Sequence, residues 1–426
     1  MVKIYNEIIK ESIFKEKLDN GLTVLMMPRA GYNKNYGIFA ANCGSIDNKF
    51  YHPETNEPVE VPDGIAHFLE HKLFESQKED VFSAFASLGA SANAFTNYNM
   101  TAYLFHTSDN FLESLETLID FVQDPYFTDE NVEKEKGIIA QEIKMYDDDP
   151  DYQVYKNMIT GLYHQFPIRI DIAGTVDSIY KIKKEDLNLC YNTFYNPGNM
   201  LLFLTGNFDP DKVIEIIKEK QIKKDLANYP EIKRIYPDEP AYVNQKIITK
   251  KMDVSQPLFR LGIKETLIPD SPAELVKQEI GTLMLLDLLI GKSTGLYQDL
   301  YTEGLLDDYY VNYYVLEKEY GYAVIGGRTR DPDLLFERIR NGLRKGIKEI
   351  KTEDFDRIYR KTLGEFIENF NSFETVATEF ISYYFKGINF FEIMDIIKEI
   401  DLEYLYGRFE EFFREDRFVR SIINGD

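Results

Sequence analysis

Apolar positions recur along this chain at two spacings, and the change between them marks out its elements. Residues 16–28 read as a hairpin, with Asn20-Gly21 at the turn. An apolar stretch of strand length follows over 36–43. The period then lengthens to that of amphipathic helices over 65–74 and 81–88. Strands return within 91–107, and helices are predicted over 109–124 and 128–146. An apolar run over 199–206 reads as a buried strand that closes the first half. Residues 221–245 are polar, carry Pro230, Pro237 and Pro240, and read as a linker. The second half repeats the theme. It has a strand over 258–263, a long apolar helix over 273–290 and a helix over 295–301. Strands follow over 309–317 and 321–327, then helices over 334–350 and 352–369. The pattern predicts a duplicated α+β fold with domains at 1–220 and 246–426.

Length and charge narrow the function. A chain of 426 residues exceeds what one core usually supports, in agreement with two domains. A formal net charge of -23 without an offsetting basic patch argues against nucleic acid and favours neutral or basic peptides as partners. The apolar run 283–290 is too short to span a bilayer and is interrupted by Asp287, so no membrane partner is expected. The first seven residues lack a signal-peptide pattern. The two cysteines, Cys43 and Cys190, form no Cys-x-x-Cys and suit a reducing compartment, so a cytoplasmic protein with two buried thiols is expected.

The chemistry concentrates at His67-Phe68-Leu69-Glu70-His71. Two of the chain's five histidines fall in this window. On a helix they lie about 40° apart on one face, where both imidazoles could reach one metal ion. Glu70 lies on the same face, one turn from His67, and could reach water on that metal. By itself His-x-x-Glu-His also suits two ordinary helix histidines. A catalytic zinc usually takes three protein ligands, which directs the search to a second helix. Over 128–146, Glu135 and Glu142 are seven residues apart and nearly in line, and Ile138 and Ile139 between them are expected to face the core. Inward carboxylates are costly unless paired or bound to metal.

With Glu142 placed 71 residues after His71, this set resembles the pitrilysin/insulinase family of zinc peptidases. That family includes insulin-degrading enzyme and the mitochondrial processing peptidases. The segments 89–96, 174–179 and 195–200 resemble its further landmarks. The likeness is strong over 18–209 and weaker beyond. It implies two homologous domains, each a mostly antiparallel sheet packed with helices, with zinc in the first and none in the second. It implies one Zn2+ per chain on His67, His71 and Glu142, with Glu70 as general base and Glu135 orienting a ligand histidine. It implies that Asn93, Ala94 and Phe95 form an edge strand that pairs with extended, unfolded peptides, Phe95 lining the pocket beside the cleaved bond.

One part of the resemblance fails. The family's second half often supplies an arginine and a tyrosine that hold the substrate carbonyl. In 293–309 the arginine position holds Tyr301, and Tyr309 matches the tyrosine only with a shifted spacing. Arg328 and Arg330 read as turn residues. The expected protein is therefore a zinc endopeptidase or oligopeptidase, working as a homodimer or as a heterodimer with a related chain that carries the arginine. A non-catalytic peptide-binding subunit is the alternative. A hydrolase of small molecules fits poorly with an edge strand.

Overall fold

The computed structural model describes residues 1–76, 80–222 and 230–425. They form two compact units, each drawn from several stretches of chain. Unit 1 comprises Met1–Lys144, Ile170–Tyr236 and Phe370–Phe385. Unit 2 comprises Met145–Arg169, Pro237–Asn369 and Lys386–Asp426.

Unit 1 is built on β1 (Val2–Asn6), β2 (Glu11–Lys17), β3 (Thr23–Pro28), β4 (Asn35–Ala41), a small ribbon of β5 (Lys49–Tyr51) and β6 (Pro58–Glu60), β7 (Ala90–Thr96), β8 (Thr101–Thr107) and β9 (Met200–Gly206). Its main sheet runs β1-β2-β3-β9-β4-β8-β7, antiparallel except for the β3–β9 pair. The central strands β4 and β9 are buried on both faces, which is why their sequences are apolar apart from Asn35 and Thr205 near their ends. On one face lie α1 (Ile65–Leu73), α2 (Val81–Ser87) and α3 (Phe111–Gln123). The unit also holds α4 (Asp129–Asp147) up to Lys144. Past α5 (Pro150–Leu162), which belongs to unit 2, come α6 (Val176–Ile179), α7 (Lys184–Phe194) and α8 (Pro210–Ile222). The helical face and the sheet share a core of Phe39, Phe68, Leu69, Tyr103, Phe105, Leu118 and Leu202.

Unit 2 carries a sheet ordered β10-β14-β11-β13-β12. Its strands are β10 (Ile247–Lys251), β11 (Leu258–Lys264), β12 (Val311–Leu316), β13 (Gly321–Arg328) and β14 (Phe418–Asn424), antiparallel except for the β10–β14 pair. Its later helices are α9 (Pro272–Ile290), α10 (Gly295–Thr302), α11 (Pro332–Gly346), α12 (Thr352–Glu368), α14 (Ile393–Lys398) and α15 (Leu402–Phe412), with α13 (Phe373–Lys386) placed almost wholly in unit 1. Beneath them Arg408 pairs with Glu265 with almost no exposure of either side chain, and Tyr314 donates to the same carboxylate at 2.7 Å. A buried pair of this kind holds only because its remaining donors and acceptors are met. No single described helix is long and apolar enough to cross a membrane.

The expected sheets and helices are present, but the units do not follow the contiguous halves 1–220 and 246–426. α5 packs on β11 and β14 of unit 2, where Tyr163 donates to the Gly321 carbonyl at 2.8 Å. Gly262 makes room for it, since a Cβ there would sit 2.6 Å from Met158 Cγ. α13 packs on the other face of the unit 1 sheet: Phe380 stacks on Phe203 at 5.3 Å, and Tyr384 donates to Thr23 Oγ1 at 2.8 Å. The expected linker 221–245 is also largely bound structure, apart from 223–229, which lie outside the described residues. Arg234 Nε lies 2.6 Å from Asp47 Oδ1, and the Ile235 amide donates to the Lys49 carbonyl at 2.9 Å. Beyond them Glu239 pairs with Lys264 at 2.6 Å in unit 2. Polar, proline-rich composition hid these ion pairs.

The start of α1 is fixed by two glycines. Gly64 has φ +88°, and a Cβ there would lie 2.4 Å from the Ala173 carbonyl oxygen. Gly174 has φ +77°, and its Cβ would lie 2.5 Å from the Asp63 carbonyl oxygen. Left-handed strain and steric overlap together should make Gly64→Ala cost about 2–4 kcal/mol, read as a lowered urea midpoint. An unchanged midpoint would show that the two turns can separate freely.

Candidate metal centre

α1 has one face for the core and one for chemistry. Ile65, Phe68, Leu69, Lys72 and Leu73 are buried beneath it. Their spacing leaves His67, Glu70 and His71 together on the other face. α4 supplies two carboxylates beside them. Glu142 Oε1 lies 3.8 Å from His67 Nε2, and Glu142 Oε2 lies 3.6 Å from His71 Nε2. Glu135 Oε1 lies 2.9 Å from His71 Nδ1. Glu142, His67 and His71 bring one donor atom each within 4.8 Å of one another. Among the described residues it is the one such group of three or more.

The donor set fits zinc. The Nε2–carboxylate separations are too long for hydrogen bonds, so these atoms face one another without binding one another. A tetrahedral zinc with ligands at about 2.0–2.1 Å spaces its donors about 3.3 Å apart, so small side-chain movements would close the set. The ring orientations agree. Glu135 is an acceptor, so His71 carries a proton on Nδ1, and Nε2 is the nitrogen turned toward Glu142. His67 Nδ1 is buried without a hydrogen-bond partner among the described residues, so packing alone orients that ring.

Electrostatics divides the two imidazoles. Burial, helped by the charge of His71, lowers the pKa of His67 to about 3 and keeps it neutral. Burial acts the same way on His71, but its bond to Glu135 and the charges of Glu70, Glu135 and Glu142 outweigh it and raise the pKa. Burial works against the Glu135 carboxylate too, yet His71, Lys72 and Lys134 hold its pKa low. Burial raises the pKa of Glu70, against a hydrogen bond from Thr96. That bond is 2.7 Å, from Thr96 Oγ1 to Glu70 Oε2.

Several expectations are refined by this geometry. Ile139 is buried, but Ile138 is 47% exposed, because consecutive helical residues point about 100° apart. Asn93, Ala94 and Phe95 lie on β7, the edge of the sheet, as expected. The Ala94 amide is taken by Asn93 Oδ1 at 2.9 Å. Strand alternation turns Phe95 to the face opposite Thr96, which reaches Glu70, so Phe95 is not on the Glu70 side. Tyr309 belongs to unit 2, is 53% exposed, and carries the Arg328 guanidinium 3.3 Å from its ring centroid. Arg328 is thus the last residue of β13 with an aromatic partner, not simply a solvated turn residue. Cys43 and Cys190 are free, buried and outside the donor set, and burial raises both thiol pKa values.

Two residues at the centre were not anticipated. Thr96 closes the 89–96 segment as the last residue of β7, and no sequence signal links it to Glu70. Lys72 does carry a signal: it falls four residues after Phe68 and three after Leu69, where the helical pattern calls for an apolar side chain.

A helix bearing two histidines and a glutamate, facing a second helix that adds a carboxylate, defines a metallopeptidase-type centre on an α+β sheet unit. The chain belongs to the insulinase family, peptidase family M16. The model described as insulinase (peptidase family M16) matches residues 55–176, and that of the peptidase M16 inactive domain matches 181–362. The chain is 45% identical over 420 residues to the uncharacterized zinc protease YmfH of Bacillus subtilis (strain 168), covering 98% of each. It superposes on an M16-like peptidase from Alicyclobacillus acidocaldarius with TM-score 0.94 and 39% identity, covering 98% of this chain and 99% of that one. The periplasmic protease PqqL from Escherichia coli shares the fold at TM-score 0.76 and 15% identity, covering 99% of this chain but 48% of PqqL.

In the metal-free chain, the His67 side chain should stay neutral from pH 8 to about pH 4, while His71 is more than half protonated at pH 6.5, its ordinary value. Imidazole NMR shifts read both. The linkage signs are opposite. Stability from neutral His67 is lost as pH falls from 6.5 toward 3. Stability from charged His71 is present below 6.5 and is lost as pH rises through its raised value. Titration of both rings at one pH would contradict the assignment.

Proposed function

We propose that this zinc protease of the M16 family hydrolyses peptide bonds in extended, unfolded peptides, using one zinc ion per chain on His67, His71 and Glu142. The observation that carries the reading is Glu70. It sits between the two histidines in sequence, on their face of α1, half-buried, with its pKa raised and one oxygen held by Thr96. Zinc at this centre would supply a Lewis acid that acidifies water and polarises the scissile carbonyl. Glu70 takes the proton of the attacking water and returns it to the leaving amine. A raised pKa suits that exchange, because a base must also be able to give its proton back near neutral pH. Thr96 fixes one carboxylate oxygen and leaves the other for the proton. Glu135 holds the ring of His71. Substrate strands would add at the free edge of β7, displacing Asn93 Oδ1 from the Ala94 amide.

The protein works as a two-chain assembly in this reading, a homodimer or a heterodimer with a related chain, enclosing peptides in a chamber of four such domains. Its match to about half of PqqL supports the stoichiometry. Tyr301 at the expected arginine position supports a partner that supplies the missing cation, with Tyr309 as a candidate contributor from this chain. Two free, buried thiols support a reducing, cytoplasmic setting.

The test is cleavage of a quenched fluorescent peptide library by the purified chain, alone and with partners copurified from its source. Glu70→Gln should keep zinc and lose about 10²–10⁴-fold in turnover, and a chelator should abolish cleavage. Cleavage that survives Glu70→Gln would overturn the mechanism.

A further inference from the structure

Lys72 lies under α1, and its side chain has no exposure. It stands on the core face of the helix, among Phe68, Leu69 and Leu73, next in sequence to the ligand His71. A buried ammonium is costly unless its donors are met. Here they are. Lys72 Nζ lies 2.7 Å from Glu75 Oε2 and donates to the Asn131 carbonyl at 3.2 Å. Its third neighbour is Glu135 Oε2, 3.9 Å away.

Glu135 is thus held from two sides. Oε1 takes the Nδ1 proton of His71 at 2.9 Å, and Oε2 faces the Lys72 ammonium. The Glu135 side chain is itself only 8% exposed, so its second oxygen has little water to turn to. If Oε2 lost its cation, rotation of the carboxylate would carry Oε1 away from the His71 ring. Glu75 and the Asn131 carbonyl pin the ammonium, so the position of Lys72 is set from outside the metal centre.

We propose that Lys72 is a positioning residue for the metal: through Glu135 it locks the ring of His71 in the orientation that presents Nε2 to zinc. The inference rests on the zinc reading given above. It assigns Lys72 a role that a packing residue at this helix position would not have, since it acts on metal affinity by way of one carboxylate.

The experiment is zinc affinity of the full chain by competition with a fluorescent chelator, zinc alone being the probe. Thermal stability of each metal-free protein is measured in parallel. Wild type should bind one zinc. Lys72→Met, close in length and apolar, should weaken binding about tenfold, and Glu135→Gln by about 10- to 100-fold. In the Glu135→Gln background, Lys72→Met should change affinity by less than about twofold, because the route through Glu135 is already cut. Glu75→Gln keeps the lysine and loosens its anchor; it should weaken zinc binding in the same direction, by a smaller factor. It also serves if Lys72→Met does not fold. Unchanged zinc affinity in both Lys72→Met and Glu75→Gln, or full additivity of Lys72→Met with Glu135→Gln, would overturn the role of Lys72. Failure of the wild type to bind zinc would overturn the zinc reading itself.

Discussion

Burial of Ile65, Phe68, Leu69 and Leu73 beneath α1 determines where the chemistry stands. A helix has no freedom to rotate once such a stripe is packed against a sheet, and at about 25 cal/mol per Å² of apolar surface the packing far outweighs any single contact at the centre. His67, Glu70 and His71 are turned outward by the same stripe. The Gly64 turn, closed against Ala173, sets where the helix begins along its axis. With rotation and starting point both fixed, α4 has only to present Glu135 and Glu142 two turns apart. Precision in the donor set comes from the core, not from the donors.

The centre concentrates negative charge. Glu70, Glu135 and Glu142 all act on His71, and the Lys72 ammonium faces Glu135 from the core side. Burial, with a smaller push from Glu142, raises the pKa of Glu70, while the bond to Glu135 and the charges of Glu70, Glu135 and Glu142 raise that of His71 against its burial. A divalent cation offsets this negative charge, so the arrangement favours binding one. Neutral His67, by contrast, needs no adjustment.

The sequence discloses such a centre readily because its spacing is local. His67, Glu70 and His71 share one helix, and Glu135 and Glu142 share another, so helical geometry alone places them within each group. Most strands and helices were legible for the same reason. What failed was non-local. Nothing in the periodicity of 150–162 tells that the helix belongs to the second sheet, and nothing in 373–386 tells that its Phe380 meets Phe203 of the first. The polar stretch near Arg234 looks like a tether until Asp47 is seen beside it. Ile138 is exposed because the buried face of α4 is centred on Val132, Glu135, Lys136, Ile139 and Ile143, a register that two neighbouring isoleucines alone do not reveal. Lys72 breaks the apolar stripe and so was detectable, whereas the hydroxyl of Thr96 reaches Glu70 only because β7 passes α1.

The discontinuous make-up of the units bears on how the protein is made. Unit 1 contains Phe370–Phe385, which follows most of unit 2, and unit 2 contains Met145–Arg169, which is flanked on both sides by unit 1. A ribosome delivers the chain from its N-terminus, and domains ordinarily fold in the order they emerge. Here the strands of the first sheet are complete by Gly206, but the helix that covers its second face follows more than 160 residues later, at Phe373–Lys386. During that interval the buried face of β4 and β9 is open. The sheet's second face is therefore completed only after residues 373–386 have joined it.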